Sequence, residues 1–272
     1  MRCSNAGRGI GIRRVLRSLP VILGAVLAAA CTSDGAPSGS IFFVTERAAA
    51  FLELEDDFSE FYTAVVLSDT HFSAGRELPE AYWQWLDEMS EERRTPRLCL
   101  VLGDIANQGL PDEYALYNEF VRNMEVRGIA VYGILGNHDV FESGDYGRNY
   151  IAAVAPHAAC YVVRTPRLSY YFLDTADGLV GLPQYSALAA QMASDSNPKV
   201  VLSHVPLYSP VSSGIWYRMK NAAERARLLS LLAGHDVCLF LCGHLHEHFD
   251  YDMGAFQEVI VDSVQEHCSW GF

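Results

Sequence analysis

The chain has 272 residues, 50% hydrophobic and 19% charged, with 21 Gly and 11 Pro. That composition excludes a disordered chain, a collagen-like repeat and a small disulfide scaffold. With 20 basic against 33 acidic residues and a formal net charge of −13, the surface is a poor one for gripping nucleic acid or an anionic membrane directly, since both need basic patches.

In chain order, the first predicted element is a targeting segment. Arg2, Arg8, Arg13, Arg14 and Arg17 stand in a stretch without an acid, an apolar run follows over 19–30, and Ala28, Ala29 and Ala30 lead into Cys31. This is the charged, apolar, small order of a secretory signal, and its apolar run is shorter than the roughly 20 residues a membrane-spanning helix needs. The Leu27-Ala28-Ala29-Ala30-Cys31 stretch resembles the lipobox of bacterial lipoproteins, in which the cysteine becomes the lipidated first residue. It departs from that pattern in placing Ala28, rather than a large apolar residue, three before the cysteine. The expectation is a signal peptide over 1–30, a flexible Gly/Ser/Pro tether over 31–40 and one domain over 41–272. The chain would then be exported and anchored by lipid on Cys31, with a soluble periplasmic or secreted form as the alternative.

Past the tether, short apolar runs rich in β-branched or bulky residues predict strands buried on both faces at 62–67, 97–102, 129–135, 199–202 and 237–242. Helical spacing of Leu78, Tyr82, Trp85, Leu86 and Met89 predicts a helix between the first two. A second follows from Tyr114, Tyr117, Phe120, Val121 and Met124, opened by Pro111. Further helices are expected at 183–192 and 222–233, the latter stopped by Gly234. Segments 161–163, 168–173 and 258–261 read as strands in hairpins. The pattern is α/β, with two packed mixed sheets between helices. Cys99, Cys160, Cys238, Cys242 and Cys268 show no metal-binding spacing and read as structural thiols.

Each of the five buried strands runs into polar residues able to hold a metal. The ends are Ser68-Asp69-Thr70-His71, Gly103-Asp104-Ile105-Ala106-Asn107, Gly136-Asn137-His138-Asp139, Ser203-His204 and Gly243-His244-Leu245-His246. Ligands bind beyond the carboxyl ends of strands in open α/β sheets, and so many carboxylates and imidazoles brought together need a partner. Oxygen and nitrogen donors of this kind suit Mn, Fe, Zn or Co. Seven ligands are too many for one tetrahedral ion and suit two divalent ions about 3.5–4 Å apart, the arrangement used to attack phosphate esters.

These ordered motifs resemble the calcineurin-like metallophosphoesterase superfamily, over a stretch from about Tyr62 to His246. The resemblance implies a four-layer fold of two mixed sheets flanked by helices. It implies one ion on Asp69, His71, Asp104 and His246, and another on Asp104, Asn137, His204 and His244, with Asp104 bridging. His138 would be the general acid or phosphate contact, its imidazole steered by the carboxylate of Asp139. The implied activity is hydrolysis of a phosphate mono- or diester by a metal-bridging hydroxide. Asn107 and His71 depart from the purple acid phosphatases, Gln108-Gly109 departs from the Ser/Thr protein phosphatases, and the short stretch after His246 departs from the large nucleotidases. The spacing is most similar to the small class III cyclic-nucleotide-phosphodiesterase-like group.

Other candidates read as surface or helix-end residues: His248, His235, His157, His267 and Arg148. The loop 209–220, with Trp216, Tyr217 and Arg218, is open to two readings, a substrate cap or a packing plug. A competing function is a catalytically silent binding scaffold, and a weaker one is a periplasmic metal-storage protein. The ligand set is intact, which favours the enzyme.

Overall fold

The computed structural model describes residues 51–271 apart from 57, 59, 60, 212 and 213, so the expected signal peptide, the tether and Cys31 lie outside the described residues. The first unit to organise the chain is a pair of crossovers. Strand β2 (Ala64–Leu67) leads through helix α1 (Glu80–Glu91) to β3 (Leu98–Val101), and α2 (Pro111–Val126) leads on to β4 (Ala130–Gly133). Crossovers through helices return the chain in the same direction, so these strands form a sheet in the order β2-β3-β4 that is wholly parallel. Two mixed sheets are therefore not what forms: only the larger sheet is mixed. β4 is also the edge of its sheet and half-buried, rather than covered on both faces as its apolar run suggests.

The larger sheet has seven strands in the order β1-β5-β6-β7-β8-β10-β9. They are β1 (Leu52–Glu55), β5 (Tyr161–Arg164), β6 (Ser169–Phe172), β7 (Lys199–Leu202), β8 (Val237–Cys242), β9 (Phe249–Asp252) and β10 (Gln257–Ile260). The expected hairpins appear as the antiparallel pairs β5–β6 and β9–β10, and the remaining pairings are parallel. β1 and β9 occupy the two edges, and their LELE and FDYD sequences carry too many acids to read as strands.

Side chains alternate across each strand, which assigns the layers. Val66, Leu98 and Leu100 share one core cluster with Val163, Phe172, Leu202, Leu241 and Val259, so the two sheets face each other. Their neighbours Val65, Leu67, Cys99 and Val101 point the other way, onto Tyr82 and Leu86 of α1 and Tyr117, Phe120 and Met124 of α2. On the far side, Phe240 and Cys242 pack under Leu188 and Met192 of α5 (Leu182–Ser194) and Leu228 and Leu232 of α6 (Ala222–Ala233). The result is helix, sheet, sheet, helix in four layers. Asn221 caps α6 by accepting N–H bonds from Ala223 and Glu224, and Gly234 ends it. The short helices α3 (His138–Phe141), α4 (Arg148–Ala153) and α7 (Val264–His267) are absent from the sequence-based expectation, being too brief to show a period. Among the described residues the cysteines form no disulfide, and no helix is long and apolar enough to cross a membrane.

Candidate metal centre

The carboxyl ends of β2, β3, β4, β7 and β8 deliver their polar turns to one rim. Main-chain bonds stitch the turns together: His71 N–H donates to the Asp104 carbonyl (2.9 Å), Phe72 N–H to that of Ile105 (2.7 Å) and Gly243 N–H to that of His204 (3.0 Å). Asp69, His71, Asp104, His244 and His246 all have left-handed backbone, with φ of 52°, 44°, 47°, 71° and 53°. A non-glycine residue held there is strained, and such strain gathers at functional sites. At Gly136 and Gly243 proximity alone requires glycine. A Cβ on Gly136 would fall 2.1 Å from the Asp104 nitrogen, and one on Gly243 1.8 Å from Ser68 Oγ.

Donor atoms of Asp69, His71, Asp104 and His246 lie within 4.8 Å of one another, as do those of Asp104, His204 and His244. Asp104 belongs to both groups and divides its oxygens between them. Its Oδ2 lies 3.9 Å from His71 Nε2, while its Oδ1 lies 3.4 Å from His204 Nε2. Asn137 joins the second group, its Oδ1 being 3.0 Å from His204 Nε2. All seven residues singled out as ligands are thus brought together.

Hydrogen bonds fix which imidazole nitrogen faces inward, because a carbonyl or carboxylate only accepts. His204 Nδ1–H donates to the Leu102 carbonyl (2.7 Å), leaving Nε2 for the centre. His244 Nε2–H donates to the Trp216 carbonyl (2.5 Å), leaving Nδ1. His246 Nδ1 is held by Glu266 at 3.1 Å, leaving Nε2, which lies 3.1 Å from Asp69 Oδ1. Asp69 Oδ2 is occupied by Ser68 Oγ–H (2.5 Å) and His244 N–H (3.0 Å). Both ring nitrogens of His71 are buried with no hydrogen-bond partner. Buried polar atoms are nearly always satisfied, so these orphans, beside donors typical of divalent metals, fit an ion.

Carboxylates and imidazoles face one another here. Burial opposes ionisation of Asp69 and Asp104, yet His246 and His204 beside them hold both carboxyls below the usual range. Burial likewise opposes protonation of His204 and His246, but Asp104 and Asp69 outweigh it and carry both imidazoles to about 9. His71 and His244 are pushed down by burial.

His138 stands at the edge of the centre, its ring 4.7 Å from that of His71 and perpendicular to it. The partner of its imidazole is not Asp139: His138 Nδ1–H donates to the Asn107 carbonyl (2.8 Å). The buried Asp139 carboxylate instead accepts N–H bonds from Ile105, Ala106 and Gly136 and a hydroxyl bond from Tyr114, at 2.9–3.1 Å. It ties the β3 turn to the β4 turn, because a carboxylate one residue past His138 on a helical start points away from the ring. Burial raises its pKa to about 7.

Glu266 was not legible, since it lies in a short helix far along the chain with no motif around it. His248 pairs with Asp250, His235 bonds the Leu231 carbonyl, and His157, His267 and Arg148 are exposed. In the 209–220 loop Trp216 is 68% exposed while its carbonyl holds His244, and the Lys220 ammonium sits 4.6 Å from its ring.

The fold is a four-layer α/β sandwich, and its site brings two groups of candidate metal ligands together at one shared aspartate. Residues 62–248 match the calcineurin-like phosphoesterase family, and the chain belongs to it. It is 24% identical over 202 residues to a cAMP/cGMP dual specificity phosphodiesterase of Mycobacterium tuberculosis, covering 68% of this chain and 62% of the relative. It is 29% identical over 165 residues to the probable cyclic nucleotide phosphodiesterase of Synechococcus sp., covering 58% and 61%. The aligned part of the chain spans about three fifths of the length of each. Among solved structures, a dimetal phosphatase from Danio rerio shares the fold with a TM-score of 0.52 at 16% identity, over 75% of this chain and 88% of that one.

Proposed function

We propose that this protein hydrolyses a phosphate mono- or diester at a centre of two divalent metal ions, outside the cytoplasm and anchored by lipid on Cys31. The observation that carries the catalytic reading is the pair of ligand groups meeting at the two oxygens of Asp104. Asp69 Oδ1, His71, Asp104 Oδ2 and His246 Nε2 would hold one ion. Asp104 Oδ1, Asn137 Oδ1, His204 Nε2 and His244 Nδ1 would hold the other. Ions of the Mn, Fe, Zn or Co type would supply the positive charge that phosphoester hydrolysis needs on the phosphoryl oxygens and the attacking water.

The chain's own groups do the rest. The bond from His138 Nδ1–H to Asn107 leaves Nε2 free to contact a phosphoryl oxygen or, when protonated, to donate to the departing alkoxide. Asp139 braces the turns that carry Asp104 and Asn137. The names of the cyclic-nucleotide relatives make cyclic nucleotides the first diesters to try.

The test is turnover of p-nitrophenyl phosphate and its bis ester with added Mn²⁺, then of cyclic nucleotides. Two bound Mn²⁺ with no hydrolysis of any of these would favour the silent scaffold. The location rests on residues 1–31 of the sequence. Cys31→Ser is expected to move the protein from the membrane fraction to the soluble one or leave it unprocessed. A cytoplasmic protein with residues 1–30 intact would overturn that half of the proposal.

A further inference from the structure

The C-terminal segment reaches back to the centre at several points. Gly271 exchanges main-chain bonds with Val66 of β2, and Val264 N–H donates to the Ser68 carbonyl (3.1 Å). Ser263 Oγ donates to the Asp69 carbonyl and accepts Glu266 N–H, both at 3.2 Å. Helix α7 is thereby seated on the turn that carries Asp69 and His71, and it presents Glu266 to His246. These residues lie beyond 248, where the family match ends.

We infer that Glu266 is a positioning residue for the metal centre, acting on the ring of His246; the inference rests on the metal reading of the site above. Its carboxylate lies 3.1 Å from His246 Nδ1, while the opposite nitrogen, Nε2, lies 3.1 Å from Asp69 Oδ1. A carboxylate on the outer nitrogen of a ligating histidine fixes the tautomer and the ring orientation and makes the inner nitrogen a better donor. The Glu266 side chain is 48% exposed, and exposed ion pairs add little to folding stability. Its leverage is on the ring. Because α7 is held by Ser263 and by main-chain bonds, removing the carboxylate leaves the helix in place.

The experiment strips the full chain of metal and titrates it with Mn²⁺ by calorimetry, with the melting temperature of the metal-free protein as control. Glu266→Ala is expected to weaken one of two Mn²⁺ equivalents by about 10–100-fold and to leave the other and the metal-free melting temperature unchanged. Glu266→Asp is expected to recover part of the loss. Unchanged affinities in Glu266→Ala overturn the inference. So does weakening of both equivalents together with a lower metal-free melting temperature, which would mark a merely structural contact. A wild-type protein that binds two Mn²⁺ but hydrolyses no phosphoester overturns the functional proposal and leaves Glu266 standing; unchanged affinity in Glu266→Ala with active wild type does the reverse.

Discussion

Asp104 shows how much one side chain decides at this site. A single carboxylate has two oxygens, and here each faces a different ligand group, so its charge serves both. Asp104→Asn is expected to weaken both metal equivalents together, beyond the roughly 10–100-fold loss typical of an outer partner, whereas His71→Ala should weaken one far more than the other. Metal analysis after dialysis against Mn²⁺ checks both. His138 differs, since its Nδ1–H is committed to the Asn107 carbonyl and it belongs to neither ligand group. His138→Ala is expected to cut turnover by about 10²–10⁴-fold with both metals retained. The loss should shrink for p-nitrophenolate, a leaving group that needs little protonation, and steady-state kinetics on good and poor leaving groups reads the difference. These residues were legible from type and spacing, because turns after buried strands rarely gather so many ligands. The partners of His138 and Asp139 were not: a backbone carbonyl accepts whatever its side chain is, so the Asn107 contact leaves no residue-type signature.

At the scale of the element, β10 carries a charge where its neighbours are apolar. Glu258 is buried in the larger sheet, with Oε1 accepting the Leu207 N–H (2.8 Å) and Oε2 unsatisfied. Burial raises its pKa to about 7 from an ordinary 4.5. The folded state therefore holds this proton where the unfolded chain has released it, so stability falls as pH rises from about 4.5 to about 7. Glu258→Gln keeps the acceptor for Leu207 and removes the charge. Its melting temperature is expected to exceed the wild type's at pH 8 by about 2–4 °C for each kcal/mol recovered, with the gain vanishing near pH 4.5. Thermal melts across that range check it. The elements themselves were legible where a face is buried: the pattern of Tyr114, Tyr117 and Phe120 forms α2, and 237–242 forms β8. β1 and β9 escaped because edge strands, half-exposed, tolerate the acids that a buried strand excludes.

Across the whole molecule, the candidate centre sits where the carboxyl ends of two sheets converge, and its candidate ligands come from residues 69 to 246. Left-handed turns and neighbouring buried carboxylates are costly to hold together, so the proposed metal binding would be linked to folding. Removing metal with a chelator is expected to lower the melting temperature by about 5–10 °C, following from the roughly 2.7 kcal/mol that a ligand at a hundred times its Kd contributes. Restoring Mn²⁺ should recover it, and calorimetric scans before and after read the shift.

The amino-acid sequence by itself determined the ordered motifs, the alternation of strands and helices, and the types of candidate metal donor. Those follow from local chemistry, in which strands buried on both faces are mostly apolar and Asp, Asn and His offer the oxygen and nitrogen donors that divalent metals accept. Only the tertiary structure decided that the smaller sheet is wholly parallel, that Asp139 braces backbone rather than the His138 ring, and that Glu266, across the β9–β10 hairpin in sequence, reaches His246. Each of these depends on which distant segment lands beside a given atom, and that is set by packing two sheets face to face rather than by any residue's near neighbours.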